Sequence, residues 1–426
     1  MKKSDPQEFF PYHGGKLFCE EVDLSEILRK HGSPTYVYSH EGFRSPVERL
    51  KTGLSGLPVQ ICFAMKSNSN PELLKILKQC GIGIDLVSGG EMRIARSVGF
   101  SGNQMVFSGV GKLPEEIESA LKNDVFSFHV ESIPELDLIQ EILEARFPPD
   151  RRARVALRFN PDVNPKTHPY ISTGLRENKF GLEKSEILWV AKNLKNWPRI
   201  QIAGLSIHIG SQLVTLAPMK EAFQKLKSCV ETFESLSKIE LEYVDLGGGL
   251  GIRYKNEKPP TIEDYCKLIQ KEWSAWIQGR RAATRVFLEP GRLISGNAGV
   301  LLTQVQFRKE RKSRTFLIVD AAMNDLARPS LYGSYHEIIP LNSALRKGKT
   351  ASTDIVGPAC ETADRFASGR KVPVSWKRGE FLALLSCGAY GYSMASNYNS
   401  RPRPAEVLVK NKEFFLIRDR EKIEPL

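Results

Sequence analysis

The sequence predicts an α/β protein in which a (β/α)8 barrel of the TIM type precedes a mostly β C-terminal domain completed by the N-terminal segment. Eight short apolar segments alternate with helix-like segments over about 250 residues, as in such a barrel. After about residue 285, strand-like segments follow one another with short turns and no long helical period. We therefore expect a barrel over residues 36–284 and a β-rich domain from residues 1–35 and 285–426. A doubly wound sheet is the alternative for the first part.

The apolar segments have the length and residue types of buried strands. Helix-like segments fill the gaps between them. Asn70 is placed as an N-cap before Pro71, and apolar residues recur at helical spacing over residues 217–237. Because the loops after the strands build the functional face of a barrel, residues at strand ends are the first candidates for chemistry. The predicted strands end at Lys66, Asp85, Ser108, Glu131, Asn160, Gly210, Gly247 and Glu289.

The composition narrows the class of function. No apolar stretch approaches the roughly 20 residues of a membrane span, and the N-terminus lacks the apolar segment of a secretory signal, so we expect a cytoplasmic protein without membrane contact. The net charge is +12, but the basic residues are dispersed and no nucleic-acid-binding motif is found, so no nucleic-acid partner is expected. The seven cysteines form no C-x-x-C pair and indicate neither a disulfide framework nor a metal site.

Several side chains near the predicted strand ends can carry chemistry. Lys66 follows the buried "ICFAM" segment, and an amine held in a pocket can attack a carbonyl group. The glycines of "DLGGGLG" (245–251) expose backbone N–H groups that suit a phosphate. His208 in "SIHIGSQ", placed within a strand, can stack on a ring, and Glu289 in "LEPGR" can hold a protonated ring nitrogen. An amine, a phosphate cradle, an imidazole and a carboxylate together indicate pyridoxal 5'-phosphate.

Each of these motifs alone also has a purely structural explanation. A lysine at a strand end is usually solvated, and glycine-rich turns are common. A histidine in a strand is more often a core residue, and Glu289 and Arg292 around a Pro-Gly turn can form a salt bridge within a loop. The occurrence of all of them at one end of the predicted barrel favours the cofactor site.

The sequence also resembles the alanine-racemase-like, fold-type III pyridoxal-phosphate enzymes, and among them the diaminopimelate decarboxylase family. The blocks that carry the resemblance stand in the family's order and run nearly from end to end. They include "FAMKSNSNPELLKIL", "IDLVSGGEM", "NPKTHPYISTGLRENKFG", "HIGSQL", "DLGGGLGI", "LEPGRLISGNAG", "VDAAMNDLARPSLYGSYHEI", "GPACETAD" and "GAYGYSMASNYNSRPRPAEVLV".

The resemblance implies roles for individual residues. Lys66 would be the Schiff-base lysine, His208 would stack on the cofactor ring, and Glu289 would pair with the pyridine nitrogen. Cys360 would protonate the carbon atom left when carbon dioxide departs. The remaining implied cofactor contacts are Ser211, Gly248, Gly249, Pro290, Gly291, Arg292 and Tyr390, and the implied substrate contacts are Arg292, Arg328, Tyr332, Glu361 and Tyr390.

The implied reaction converts meso-2,6-diaminopimelate to L-lysine and carbon dioxide, the last step of lysine biosynthesis. This substrate has an amino-acid group at both ends, so an arginine would bind the distal carboxylate and Glu361 the distal ammonium group. The family is dimeric, with Cys360 and Glu361 reaching into the partner's site. Ala359 and Arg365 depart from the family pattern, which leaves the geometry of the Cys360 loop open.

Three other functions are weighed against this one. Racemisation on the same fold favours an unprotonated pyridine nitrogen facing an arginine, whereas this chain has Glu289. The block "ARPSLYGSYHEI", which contains Arg328 and Tyr332, argues against decarboxylation of ornithine, arginine or carboxynorspermidine. A non-catalytic homologue could lack the catalytic cysteine or a complete second domain, and both are present in this sequence.

Overall fold

The computed structural model describes residues 5–165, 174, 177–280 and 283–423. The chain divides into two compact units. The barrel unit consists of Pro46–Gly251 and Pro259–Gly291. The β-rich unit consists of Met1–Ser45, Ile252–Lys258 and Arg292–Leu426.

The barrel unit contains eight parallel strands that close into a barrel in the order of the sequence, and the eighth strand pairs with the first. Each predicted strand is present, and the predicted (β/α)8 barrel is confirmed. The barrel strands, called first to eighth below, are Val59–Ala64, Gly83–Leu86, Met105–Phe107, Ser127–Val130, Ala153–Arg158, Ile200–Ser206, Tyr243–Asp245 and Arg285–Leu288.

Helices lie between the barrel strands in sequence. The predicted N-cap is present, since Asn70 Oδ1 accepts a hydrogen bond of 3.0 Å from Glu72 N and Pro71 occupies the first turn. The helix predicted over residues 217–237 spans Ala217–Ser237. The helices around the barrel strands are His40–Gly53, Pro71–Gln79, Gly89–Ser97, Pro114–Lys122, Ile133–Arg146, Lys184–Lys192, Ala217–Ser237 and Ile262–Gln278, with 3-10 turns at Met65–Ser67, Gly102–Gln104 and Leu194–Asn196.

The β-rich unit is built around one large sheet. Its main path runs in the order Arg365–Pro373, Thr350–Val356, Thr315–Val319, Gly299–Glu310, Thr35–Ser39, Ala405–Lys410 and Glu413–Arg418, and Phe381–Leu384 pairs with both Gly299–Glu310 and Ile338–Pro340. A small sheet of Tyr12–His13, Lys16–Cys19 and Val22–Asp23 precedes it. The helices are Leu24–His31, Arg292–Ser295 and Arg328–Tyr332, with 3-10 turns at Ser343–Arg346, Tyr392–Met394 and Tyr398–Ser400.

The expected boundaries at residues 36 and 284 differ from those of the observed units by the placement of two strands. Thr35–Ser39 pairs with Gly299–Glu310 and Ala405–Lys410 and therefore belongs to the sheet of the β-rich unit. Arg285–Leu288 closes the barrel. A short apolar run has the same pattern in a barrel as in the centre of a mixed sheet, so sequence alone does not assign these strands to a unit.

Buried side chains fill each unit separately. In the barrel, Cys62, Val106 and Ala156 pack with the aromatic residues Phe126, Tyr243 and Phe287. The rings of Phe126 and Phe287 are stacked, with centroids 5.2 Å apart. Apolar and aromatic side chains thus fill this part of the barrel interior. Among the described residues, no helix combines the length and the apolar composition needed to cross a membrane.

Candidate active site

Lys66 lies in the 3-10 turn Met65–Ser67, directly after the first barrel strand. Its Nζ is 3.2 Å from Asp85 Oδ2, at the C-terminal end of the second strand. The lysine side chain is 34% exposed, whereas the Asp85 side chain is fully buried. Burial and repulsion from Glu289 raise the pKa of Asp85, and the charge of Lys66 lowers it. The amine is therefore held at a strand end while remaining accessible to a reactant, as nucleophilic catalysis requires.

The three consecutive glycines 247–249 follow the seventh strand and fit tightly against neighbouring backbone. A Cβ atom on Gly248 would lie 2.1 Å from Glu289 O, and one on Gly249 would lie 2.3 Å from Gly210 O. Gly249 also has a φ of +109°, a conformation that favours glycine. Both residues are half-buried. Gly247 N donates a hydrogen bond of 2.7 Å to Asp245 Oδ1. The loop therefore lies at the strand ends, where an anion can approach its backbone closely.

His208 lies beside the glycine loop, just past the end of the sixth strand. The strand ends at Ser206, so the prediction that His208 lies within it is wrong, although the position at the barrel end is as predicted. Gly248 N donates a hydrogen bond of 3.2 Å to His208 Nδ1, so in the neutral ring Nε2 carries the proton. Burial, followed by the charges of Lys66 and Arg158, lowers the pKa of His208 to about 3. His208 is thus a neutral imidazole that can stack on a ring without adding charge.

Glu289 follows the eighth strand and belongs to a cluster of buried titratable groups. His129 Nδ1 lies 3.2 Å from Glu289 Oε1, and His129 Nε2 lies 3.8 Å from Asp245 Oδ2. Burial alone would raise the pKa of Glu289, but His129 and the charge of Lys66 lower it to about 2. Burial and repulsion from Glu289 raise the pKa of Asp245 well above its usual value. Glu289 is therefore ionised at neutral pH.

Unsatisfied oxygen atoms in this cluster test whether the site fits the expected cofactor. Asp85 Oδ1 and Asp245 Oδ2 are buried and have no hydrogen-bond partner among the described residues, and Glu289 Oε1, buried beside them, lies 3.2 Å from His129 Nδ1, which can donate to it only when that nitrogen is protonated. A buried acceptor without a donor is costly. The Glu289 carboxylate therefore fits a ligand that brings a protonated ring nitrogen, as the cofactor does.

The other predicted residues of the barrel unit lie in loops that are connected by hydrogen bonds and close packing. Leu213 N donates to Gly249 O over 2.9 Å, which fixes the loop containing the half-buried Ser211 to the glycine loop. Ala64 N donates to Pro290 O over 3.2 Å. A Cβ atom on Gly291 would lie 3.2 Å from Ser67 Oγ. The turn after the eighth strand is thus packed against the segment that carries Lys66.

A second group of predicted residues lies in the β-rich unit, around Tyr254. Its hydroxyl oxygen accepts hydrogen bonds from Arg292 Nη1 at 2.6 Å and from Arg328 Nη1 at 3.0 Å. Arg292 also lies over the ring of Tyr390, with 4.9 Å between Cζ and the ring centroid. Arg292 and Arg328 are both buried. Tyr332 ends the short helix that begins at Arg328 and is half-buried.

Cys360 and Glu361 are exposed and lie in a loop shaped by Asp364. Asp364 accepts hydrogen bonds of 2.7 Å from both Ala359 N and Met323 N. Because residue 359 makes this contact through its backbone, the departure from the family pattern at that position leaves the contact in place. Arg365 is the second residue that departs from the family pattern, and its Nε lies 3.7 Å from Asp354 Oδ2.

The predicted site residues therefore fall into two groups. Lys66, His208, Ser211, Gly248, Gly249, Glu289, Pro290 and Gly291 belong to the barrel unit, and Arg292, Arg328, Tyr332, Cys360, Glu361 and Tyr390 belong to the β-rich unit. The sequence reasoning missed the buried polar partners of these residues. Polar residues at the ends of apolar strands, in "IDLV", "FSFHVE" and "VDLG", are the signal that could have identified them.

Comparisons with known proteins agree with this geometry. Residues 42–296 match the family model "Pyridoxal-dependent decarboxylase, pyridoxal binding domain". The chain is 44% identical to the diaminopimelate decarboxylase of Aquifex aeolicus, over 99% of this chain and 96% of the relative. It is 44% identical to that of Pseudomonas fluorescens, over 98% and 97% of the two chains.

Solved structures of the same group superpose over nearly the whole chain. Diaminopimelate decarboxylase from M. jannaschii in complex with L-lysine gives a TM-score of 0.90 at 36% identity and covers 98% of this chain and 96% of its own. The Helicobacter pylori enzyme complexed with L-lysine gives a TM-score of 0.87 at 38% identity, covering 94% and 97%. This chain belongs to the diaminopimelate decarboxylase family of pyridoxal-dependent decarboxylases.

Proposed function

We propose that this protein decarboxylates meso-2,6-diaminopimelate to L-lysine and carbon dioxide, the last step of lysine biosynthesis, as a cytoplasmic homodimer. The observation that carries the choice of substrate is the buried arginine pair on Tyr254. A substrate with a carboxylate at its non-reacting end can neutralise such a pair, whereas ornithine and other substrates without that group cannot.

The barrel unit supplies the groups that hold the cofactor. When bound, pyridoxal 5'-phosphate accepts the electron pair that carbon dioxide leaves behind. Lys66 would bind the cofactor covalently through its amine, and the backbone of the 247–249 loop would bind the phosphate. His208, neutral because of its lowered pKa of about 3, would stack on the ring. Glu289, ionised because of its lowered pKa of about 2, would hold the proton on the ring nitrogen.

The β-rich unit supplies the groups that recognise the rest of the substrate. Arg328 or Arg292 binds the distal carboxylate with two parallel N–H groups. A lysine side chain in place of the arginine could not reproduce this geometry. Glu361 binds the distal ammonium group. L-lysine keeps the distal carboxylate and ammonium group that these residues bind and lacks only the carboxylate at the reacting carbon.

Cys360 donates the proton that replaces carbon dioxide at the reacting carbon. Two features support a role across a dimer interface. The Cys360 and Glu361 side chains are exposed in the single chain. Their loop is held to Asn399, since Cys360 N donates a 2.7 Å hydrogen bond to Asn399 Oδ1. An exposed loop held in this way can present both residues to the site of the partner subunit.

Carbon dioxide release from the purified holoenzyme tests the proposal. We would offer meso-diaminopimelate, ornithine, arginine and lysine separately and compare kcat/KM. The expected result is release from meso-diaminopimelate at an efficiency at least about tenfold higher than from the others, since one contact to a charged group is worth about 1.5–3 kcal/mol. Equal efficiency with ornithine would contradict the assigned substrate. Conversion of meso-diaminopimelate to its LL or DD stereoisomer without carbon dioxide release would indicate a racemase.

A further inference from the structure

His129 lies in the barrel interior among hydrogen-bonding and acidic side chains, and its own side chain is 2% exposed. Nδ1 is 3.2 Å from Glu289 Oε1 and 3.3 Å from Ser108 Oγ. Nε2 is 3.3 Å from Tyr243 Oη and 3.8 Å from Asp245 Oδ2. None of the predicted cofactor or substrate contacts includes this histidine.

The neighbours of Nε2 determine where one proton lies. The Tyr243 hydroxyl donates to Ser127 Oγ over 2.7 Å, and the Ser127 hydroxyl is 3.3 Å from the carbonyl oxygen of Arg154, which can only accept. Burial raises the pKa of Tyr243 well above its usual value, so the hydroxyl keeps its proton. Since that proton points to Ser127, the Tyr243 oxygen faces His129 as an acceptor. Nε2 therefore carries a proton.

Nδ1 faces a carboxylate that competes with two others for ionisation. Asp85, Asp245 and Glu289 are buried close together, and burial and like charges oppose the ionisation of all three. Burial and repulsion from Glu289 raise the pKa values of Asp85 and Asp245. Lys66, after the first strand, and His208, after the sixth, also face Glu289. His129 is in direct contact with Glu289, since Nδ1 lies 3.2 Å from Oε1.

We propose that His129 is a positioning residue for Glu289: a proton on His129 Nδ1 faces Glu289 Oε1 and keeps this carboxylate ionised. The consequence for catalysis rests on the proposed role of Glu289 at the cofactor ring nitrogen. The ionisation itself is a property of the protein without cofactor and can be measured there.

His129, Asp245 and Glu289 each have one potential ligand atom within 4.8 Å of the others, but the two carboxyl groups approach different nitrogen atoms of the ring. Glu289 approaches Nδ1 of His129, whereas Asp245 approaches Nε2. A metal ion requires its ligand atoms to converge on one point. The imidazole ring instead lies between the two carboxyl groups as a bridge.

Infrared difference spectroscopy of the apoprotein measures the ionisation of Glu289 directly. The difference between a protein and its Glu289→Gln variant isolates the bands of this one carboxyl group. In the native background we expect the bands of an ionised carboxylate. In the His129→Leu background we expect the carbonyl band of a protonated acid. His31→Asn, which removes a histidine from the β-rich unit, is the control and should leave the carboxylate bands unchanged.

A second variant keeps the test decisive if His129→Leu does not fold. His129→Asn replaces the imidazole with a smaller, neutral amide and should also diminish the carboxylate bands of Glu289. If a folded variant without the imidazole retains these bands at full native intensity, His129 does not set the ionisation of Glu289 and the proposal is wrong.

Steady-state kinetics separates this proposal from the proposed function. His129→Leu should lower kcat at least about tenfold with a KM that changes less than about threefold. Adding Glu289→Gln to that variant should lower kcat little further, because both changes remove the same charge. If the infrared bands change as expected but neither substitution lowers kcat, the positioning role stands and the assigned role of Glu289 at the cofactor is wrong.

Discussion

Arg292 and Arg328 donate hydrogen bonds to the same atom, the hydroxyl oxygen of Tyr254, over 2.6 and 3.0 Å. Two buried guanidinium groups are thereby held on one acceptor. Arg328 Nη1 also contacts His336 Nε2 at 3.0 Å, while His336 Nδ1 donates to Leu385 O. Burial, followed by the charge of Arg328, lowers the pKa of His336 well below its usual value, so this ring adds no third positive charge. The cluster as a whole favours an anionic ligand group.

Replacing Arg328 with alanine tests whether this cluster recognises the substrate. Losing a hydrogen bond to a charged group costs about 1.5–3 kcal/mol, and each 1.36 kcal/mol is about tenfold in rate. We expect Arg328→Ala to lower kcat/KM for meso-diaminopimelate at least about tenfold without changing the absorbance of the bound cofactor. Arg346→Ala, at an exposed position, is the matched control. Full efficiency in the Arg328 variant would contradict the substrate assignment while leaving the cofactor assignment intact.

The attachment of the cofactor to Lys66 predicts a chemical label at one position. Borohydride reduction of the holoenzyme should fix the cofactor to the peptide that contains Lys66, because only the linked amine becomes irreversibly modified. Lys66→Ala should abolish the label, although contacts to the 247–249 loop can retain some cofactor. Peptide mass spectrometry provides the measurement, and a label on another lysine would refute the assignment.

The close approach of Gly248 to Glu289 O predicts that the 247–249 loop accepts no larger residue at position 248. A Cβ atom at this position would lie 2.1 Å from a backbone oxygen, so the loop must move. We expect Gly248→Ala to weaken cofactor binding at least about tenfold and to destabilise the protein by about 1–3 kcal/mol. Gly111→Ala is the control, because no heavy atom lies within 4 Å of a Cβ atom built there. Fluorescence titration of the apoprotein with cofactor and thermal unfolding measure the two effects. Equal effects at both glycines would show that the close approach is unimportant.

Much of this arrangement could be predicted from the sequence because it depends on local patterns. The barrel strands are short apolar runs that end in polar residues or glycine. Lys66 and Glu289 lie at those ends, in sequence motifs that indicate their chemical roles. The glycine loop is a local backbone feature, and its consecutive glycines are visible in the sequence.

The parts that could not be predicted depend on contacts between distant residues. Thr35–Ser39 resembles a barrel strand until its pairing with Ala405–Lys410 is known. Tyr254 and Arg328 are 74 residues apart in the sequence, and no local pattern indicates that they meet. His129 stands in an apolar strand, where a satisfied core histidine is the usual explanation. Its contact with Glu289 depends on the closed barrel and cannot be read from a local sequence pattern.

The raised pKa of Glu91 predicts a pH-dependent stability. Burial raises the pKa of this carboxyl from 4.5 to about 7, although a hydrogen bond from Val87 N lowers it. The folded protein therefore binds a proton that the unfolded chain has released between these two pH values. The contribution of Glu91 to stability is present below about pH 4.5 and is lost as the pH rises to about 7, with a slope of up to about 1.4 kcal/mol per pH unit.

We expect Glu91→Gln to raise the midpoint of thermal unfolding of the apoprotein more at about pH 8 than at about pH 5. Asp325, whose pKa is also raised to about 7, is unchanged in both proteins and cancels in the comparison. Identical pH profiles of the two proteins would contradict the prediction.

The proposed homodimer predicts that two inactive chains can restore one active site. Lys66→Ala lacks the covalent link to the cofactor, and Cys360→Ala lacks the proton donor, so each homodimer should be inactive. If Cys360 completes the site of the partner subunit, a mixed dimer contains one site with both residues intact. Mixing the two variants in equal amounts under conditions that exchange subunits should then recover about a quarter of the native activity, because about half of the dimers are mixed and each has one competent site of two. Subunit exchange is verified independently with differently tagged chains. If the tagged chains exchange and no activity returns, each site is built from a single chain and the shared-site proposal is wrong.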